Sequence, residues 1–66
     1  MQTLVFNTTE RTVEVLNENA DILYRYSNVP TVKVMDGFYE VIQEEKLIKY
    51  PVLRVPIANT NMTIIK

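Results

Sequence analysis

The chain has 66 residues, enough for one small hydrophobic core and too few for two domains, so we expect a single domain over residues 1–66. It contains neither His nor Cys, which excludes imidazole and thiolate catalysis, metal sites built from those ligands, and disulfides. Because acidic residues outnumber basic residues by eight to seven, the chain lacks the basic field that drives binding to duplex DNA.

The composition predicts a soluble, mainly β protein. Val, Ile and Thr supply a third of the residues while Ala supplies only two, which favours strands over helices. The sequence has no export signal and no apolar run of membrane-spanning length, so we expect a cytoplasmic location with no membrane contact. The initial Met suggests a complete small gene product of the kind that bacteria and their viruses encode.

The first half of the chain begins with a predicted hairpin. Residues 3–6 and 12–16 are β-prone, and the polar residues 7–11 between them are typical of a turn. The loop length stays open between four and five residues. A slip of one residue would exchange the two faces of the second strand.

A second polar turn follows at residues 17–21. Asn17, Asn19 and Asp21 alternate like the first ligands of a calcium loop, but Ile22 stands where that loop needs Gly, which favours a plain turn. After the turn, a strand over 22–26 competes with a short helix over 18–26. Tyr and Ile favour the strand.

Asp36-Gly37 joins two β-prone runs and is the strongest hairpin signal in the sequence. A two-residue loop pairs Met35 with Phe38, Val34 with Tyr39, Lys33 with Glu40, and Val32 with Val41. One face of this hairpin then carries Val32, Val34, Tyr39 and Val41. The other face carries Met35, Phe38, Ile42 and an exposed Lys33–Glu40 charge pair.

The last third of the chain predicts a charged turn at 43–46 and a final hairpin. A helix over 38–50 is the alternative to the charged turn at 43–46. In the final hairpin, residues 58–61 form the turn, Ile57 pairs with Met62, and Val55 pairs with Ile64. Several hairpins in so short a chain predict a small SH3-like or OB-like barrel, with at most one short helix.

These features predict a non-enzymatic protein-binding module, such as a regulator or inhibitor of a larger partner, that needs no cofactor or metal. The two apolar faces of the central hairpin exceed what one small core can cover. We therefore expect a protein partner or a homodimer to cover Met35, Phe38 and Ile42, unless Tyr26, Tyr50 or a helix at 18–26 folds over them.

The alternative function is a barrel that binds single-stranded nucleic acid. Tyr24 and Tyr26 project from one side of a predicted strand with Arg25 on the other side, and aromatic rings beside cations can stack bases and hold phosphates. Tyr50 and Arg54 are expected to lie nearby. The predicted binding surface for either function consists of Tyr24, Arg25, Tyr26, Met35, Phe38, Ile42, Tyr50 and Arg54.

Overall fold

A computed structural model describes residues 1–66 and shows a mainly β protein built from hairpins. The strands are β1 (Gln2–Asn7), β2 (Thr12–Leu16), β3 (Ile22–Tyr26), β4 (Thr31–Met35), β5 (Phe38–Glu45), β6 (Ile48–Pro56) and β7 (Thr60–Ile65). The one helix is a 3-10 turn at Ile57–Asn59, so the structure holds no helix able to cross a membrane. The strands form two sheets and no closed barrel.

Sheet A has the strand order β3-β2-β1-β7. The β1–β2 hairpin forms as predicted, and its pairing of Asn7 with Thr12 settles the loop at four residues. β3 is the predicted strand, not a helix over 18–26. The preceding turn is held by the Asn17 side chain, whose Oδ1 accepts hydrogen bonds from the backbone N–H groups of Asn19 and Asp21 at 2.9 and 3.0 Å. Asn17 Nδ2 also donates to Asp21 Oδ2 at 3.3 Å, so the segment is the plain turn that the sequence predicts.

Sheet B has the order β4-β5-β6, and its first hairpin has the predicted register. Met35 pairs with Phe38 and Lys33 pairs with Glu40. The turn residues Asp36 and Gly37 both have positive φ, 51° and 80°, as a type I′ turn requires. The turn and the register of this hairpin are therefore those that the local sequence predicts.

The predicted charged turn at 43–46 is wrong, and so is the alternative helix over 38–50. β5 continues through these residues to Glu45, and the turn lies at Lys46-Leu47. Glu44 and Glu45 point to opposite faces of β5, and both are tolerated because Glu45 is exposed at the strand end and Glu44 binds Arg11. The bulge in β6 shifts the register between the pairs Val41–Leu53 and Ile42–Pro51.

The predicted final hairpin is also wrong. β7 does not pair with β6; it crosses to sheet A and pairs in parallel with β1, with Leu4 opposite Met62 and Phe6 opposite Ile64. The 3-10 turn after Pro56 takes the place of the tight turn expected at 58–61. The first and last strands of the chain therefore lie side by side in one sheet.

Both sheets bury their inner faces against each other in a shared core. Its fully or nearly buried members come from β1, β2, the loop before β4, β5 and β6, and are Leu4, Phe6, Val13, Val15, Val29, Val41 and Val55. Val32 and Tyr39 pack against this core, so the predicted Val32–Val41 face of the central hairpin is the inner one. The face that carries Met35 and Phe38 points away from the core.

Candidate interaction surfaces

The outer face of sheet B is the first candidate surface. Strand alternation and the observed register place on it residues from all three strands: Thr31, Lys33, Met35, Phe38, Glu40, Ile42, Glu44, Lys49, Pro51, Arg54 and Pro56. At the hairpin end, Met35 and Phe38 remain 43% and 37% exposed beside the exposed Pro56. More than a third of the surface of each residue therefore meets solvent.

Glu40 lies at the centre of this face and is nearly buried. Its side chain is 7% exposed, and its Oε2 accepts a hydrogen bond from Arg54 Nε at 2.6 Å. This geometry corrects the predicted Lys33–Glu40 pair: Lys33 lies opposite Glu40 in the register, but the carboxylate bonds the guanidinium on the other neighbouring strand. The N–H groups of a planar guanidinium have fixed directions that suit a carboxylate, whereas an ammonium acts as a point charge.

Charges on the outer face of sheet B do not balance. Arg54 binds Glu40, and Arg11 reaches across to Glu44 with Nη2 to Oε1 at 3.2 Å. Lys33 and Lys49 have no carboxylate within ion-pair distance. With Arg11 included, the surface carries four cations against two carboxylates, and a third carboxylate, Asp36, lies in the turn at its end, although the whole chain has a net charge of -1.

The second candidate surface is the free edge of sheet A along β3. Ile22, Leu23 and Tyr24 are consecutive and remain 53%, 47% and 48% exposed. A bulge at Leu23 shifts the register, but the residues from Tyr24 to Tyr26 pair regularly with β2. Beside Leu23 lies an open depression of about 370 Å³, lined mainly by polar residues from the N-terminal segment and the 17–19 turn.

The structure brings together four of the eight predicted surface residues. Met35, Phe38, Ile42 and Arg54 share the outer face of sheet B, although Ile42 is buried there between its neighbours. Tyr50 lies on the inner side, where its hydroxyl donates to Gln43 Oε1 at 3.2 Å. It therefore does not cover the outer face.

The three predicted residues of β3 lie on sheet A. Tyr24 and Tyr26 extend the inner face beside Val15 and Val13, and Tyr26 packs against the core. Arg25 is on the opposite face, with Nε 3.5 Å from Glu14 Oε2. The predicted nucleic-acid platform, with tyrosines beside Arg54, is thus divided between two sheets.

Sequence reasoning assigned Lys33 only to a charge pair, and it missed Pro56 as part of the same surface. The register of the Asp36-Gly37 hairpin could have placed Lys33 beside Phe38, since it already fixed their strands. No local signal could have placed Pro56, because the β5–β6 register depends on a bulge. Searches against protein-family models, curated proteins and solved structures found no match to this chain.

Proposed function

We propose that this chain is a non-enzymatic protein-binding module that regulates or inhibits a larger protein. In this proposal, the partner adds an extended segment to sheet A along β3. Main-chain hydrogen bonds supply affinity in such complexes, and the side chains of the edge strand supply specificity. The observation that carries the proposal is the free, apolar edge formed by Ile22, Leu23 and Tyr24.

The other three sheet edges are less suited to accept a strand. β6 contains Pro51 and Pro56, which lack an N–H group, and β4 has the unpaired Lys33 at its centre. β7 has neither a proline nor a charged residue, but three of its six residues are polar, and its exposed apolar residues are Ile64 and Ile65. The single charge of β3, on Arg25, is held by Glu14 on the neighbouring strand. β3 and β7 are therefore the two edges without a proline or an unpaired charge, and β3 has the longer exposed apolar run.

The predicted barrel and homodimer bear on the same edge. A closed SH3-like or OB-like barrel would leave no free edge, and such closure stays a prediction that would require β3 or β7 to pair with sheet B.

The homodimer is the second candidate, favoured by the fact that two β3 strands can pair antiparallel about a two-fold axis. Sedimentation equilibrium measures that self-association directly.

Affinity capture with paired variants tests the proposed function. Tyr24→Lys places a charge on the β3 edge, while Val34→Lys makes a comparable change on the β4 edge, where Val34 is also exposed. We expect Tyr24→Lys to lose a partner from a source-cell extract that wild type and Val34→Lys both retain. The partner, identified by mass spectrometry and purified, should then slow amide exchange from Tyr24 to Tyr26.

Equal capture by all three baits would contradict strand addition at β3. The same conclusion would follow if the purified partner protected only amides of sheet B. Circular dichroism and urea unfolding of the three proteins confirm that loss of capture does not come from loss of the fold.

A further inference from the structure

The outer face of sheet B combines an apolar patch with a surplus of positive charge. Met35, Phe38 and Pro56 form the row at the hairpin end, and Lys33, Glu40 and Arg54 form the next row. Both carboxylates of the face already bind a guanidinium, so its two lysines are left without partners. The rest of the molecule has the opposite balance, with three cations against six carboxylates.

Arg54 is held in a position from which it can bind a second anion. Its Nε donates to Glu40, whereas its terminal nitrogens make no hydrogen bond within the chain and its side chain is 60% exposed. Bonding through Nε orients the guanidinium plane and leaves the outer N–H groups free to bind another carboxylate. Lys33 lies two strands away, about 10 Å across the sheet.

We propose that this face is a second binding site, separate from the β3 edge, for an acidic segment of a protein in which carboxylates flank one apolar side chain. The apolar side chain packs on Met35, Phe38 and Pro56. The flanking carboxylates bind Arg54 and Lys33. This occupant matches both the charge and the apolar patch of the face.

A second copy of the chain is a poorer occupant of this face. A two-fold contact would place each positively charged face against another one, and like charges that face each other oppose association. Single-stranded nucleic acid is also disfavoured. Such proteins stack successive bases on several aromatic rings, whereas Phe38 is the only aromatic ring on this face.

The test uses the full chain, isotope-labelled for NMR, at low salt. The probe is a blocked peptide with one phenylalanine flanked by two glutamates on each side. We expect it to shift the amide signals of Lys33, Phe38 and Arg54 while it leaves those of β3 unchanged. Replacing every glutamate of the peptide with glutamine, or its phenylalanine with alanine, should abolish the shifts.

Paired variants identify the cations involved. Lys33→Gln removes a charge without breaking any bond within the chain, and we expect it to weaken peptide binding by about two- to fivefold, the range of one exposed ion pair. Lys66→Gln removes one exposed charge outside the face and should leave the affinity unchanged. Phe38→Ser should weaken binding more than Lys33→Gln does, because it removes the apolar contact.

Four results would overturn the proposal. The first is no amide shift at the highest soluble peptide concentration, and the second is equal weakening by Lys33→Gln and Lys66→Gln. The third is tighter binding of a short oligodeoxythymidylate than of the peptide, which would make the face a nucleic-acid site. The fourth is self-association, measured by sedimentation, that Phe38→Ser abolishes, which would make a second copy the occupant. Because none of these results depends on the β3 edge, they leave the proposed function standing.

Discussion

The two turns that flank β5 have similar φ values and very different sequences. Asp36 and Gly37 have φ values of 51° and 80°, and Lys46 and Leu47 have φ values of 52° and 69°. Both turns join antiparallel strands through two residues with positive φ. The first uses residues that adopt this conformation readily, whereas the second uses two residues that rarely do.

The difference shows that a turn can be encoded by its own residues or imposed by the strands it connects. β5 and β6 pair over eight positions, more than any other strand pair in the molecule. Beside the second turn, Tyr50 donates from its hydroxyl towards Gln43 and Glu45, at 3.2 and 3.4 Å. We infer that this ladder, and not Lys46-Leu47, determines where β5 ends.

The largest effect is expected at the first turn. Gly37→Val should lower the free energy of unfolding by about 2 kcal/mol, because a β-branched residue resists positive φ. A Cβ built at Gly37 meets nothing within 4 Å, so the loss comes from backbone strain and not from collision. Urea unfolding measures it. Gly37→Asn serves as the control and should cost less, since Asn tolerates this conformation; equal costs would contradict the argument.

The second turn should respond in the opposite direction. Leu47→Gly is expected to raise the free energy of unfolding by about 1 kcal/mol, because Gly relieves the positive φ. The Leu47 side chain is 92% exposed, so its removal sacrifices little burial. Urea unfolding again provides the measurement, with Leu47→Ala as a control that removes the side chain and keeps the strain. If Leu47→Gly gained no stability over Leu47→Ala, the turn would not be strained.

A smaller effect tests whether the ladder holds the second turn. Tyr50→Phe removes the hydroxyl and should cost about 0.5 kcal/mol, the low end for a hydrogen bond because both contacts are long and partly exposed. Amide exchange near Lys46 should become faster. Tyr39→Phe is the matched control on the same sheet, and it should change neither quantity. A Tyr50→Phe protein with unchanged exchange would show that the backbone pairing alone suffices.

The smallest effect concerns the 17–21 turn, which side chains hold in place. The amino group of Met1 lies 2.7 Å from Glu18 Oε1, and its hydrogen bond and positive charge lower the pKa of Glu18. A lowered pKa in the folded state stabilises the protein above the ordinary carboxyl pKa, and this stabilisation is lost as the pH falls through the lowered value. NMR titration of the Glu18 carboxyl should show the shift. Acetylation of the amino group should remove it, and a persisting shift would contradict the cause.

The amino-acid sequence by itself determined the β content, the β1–β2 hairpin, and the β4–β5 hairpin with its register. These features depend on residues that are close in the chain. Asp36-Gly37 fixes which residues face each other, so the local sequence alone places Met35 and Phe38 on one face with Ile42. The candidate surface on sheet B was therefore half predictable. It shares four residues with the predicted set. Met35, Phe38 and Ile42 come from this hairpin, and Arg54 comes from β6.

Only the tertiary structure decided the remaining features, because they depend on contacts between distant parts of the chain. Residues 62–65 can pair as a strand with either β6 or β1, and their own pattern is the same in both cases. Parallel pairing with β1 brings Leu4 opposite Met62 in sheet A, so the core of two sheets selects this arrangement. Likewise, Glu40 lies between Lys33 and Arg54 on neighbouring strands. Glu40 binds Arg54 because the guanidinium on β6 lies within hydrogen-bond distance of its carboxylate. No pattern in the sequence predicts this contact.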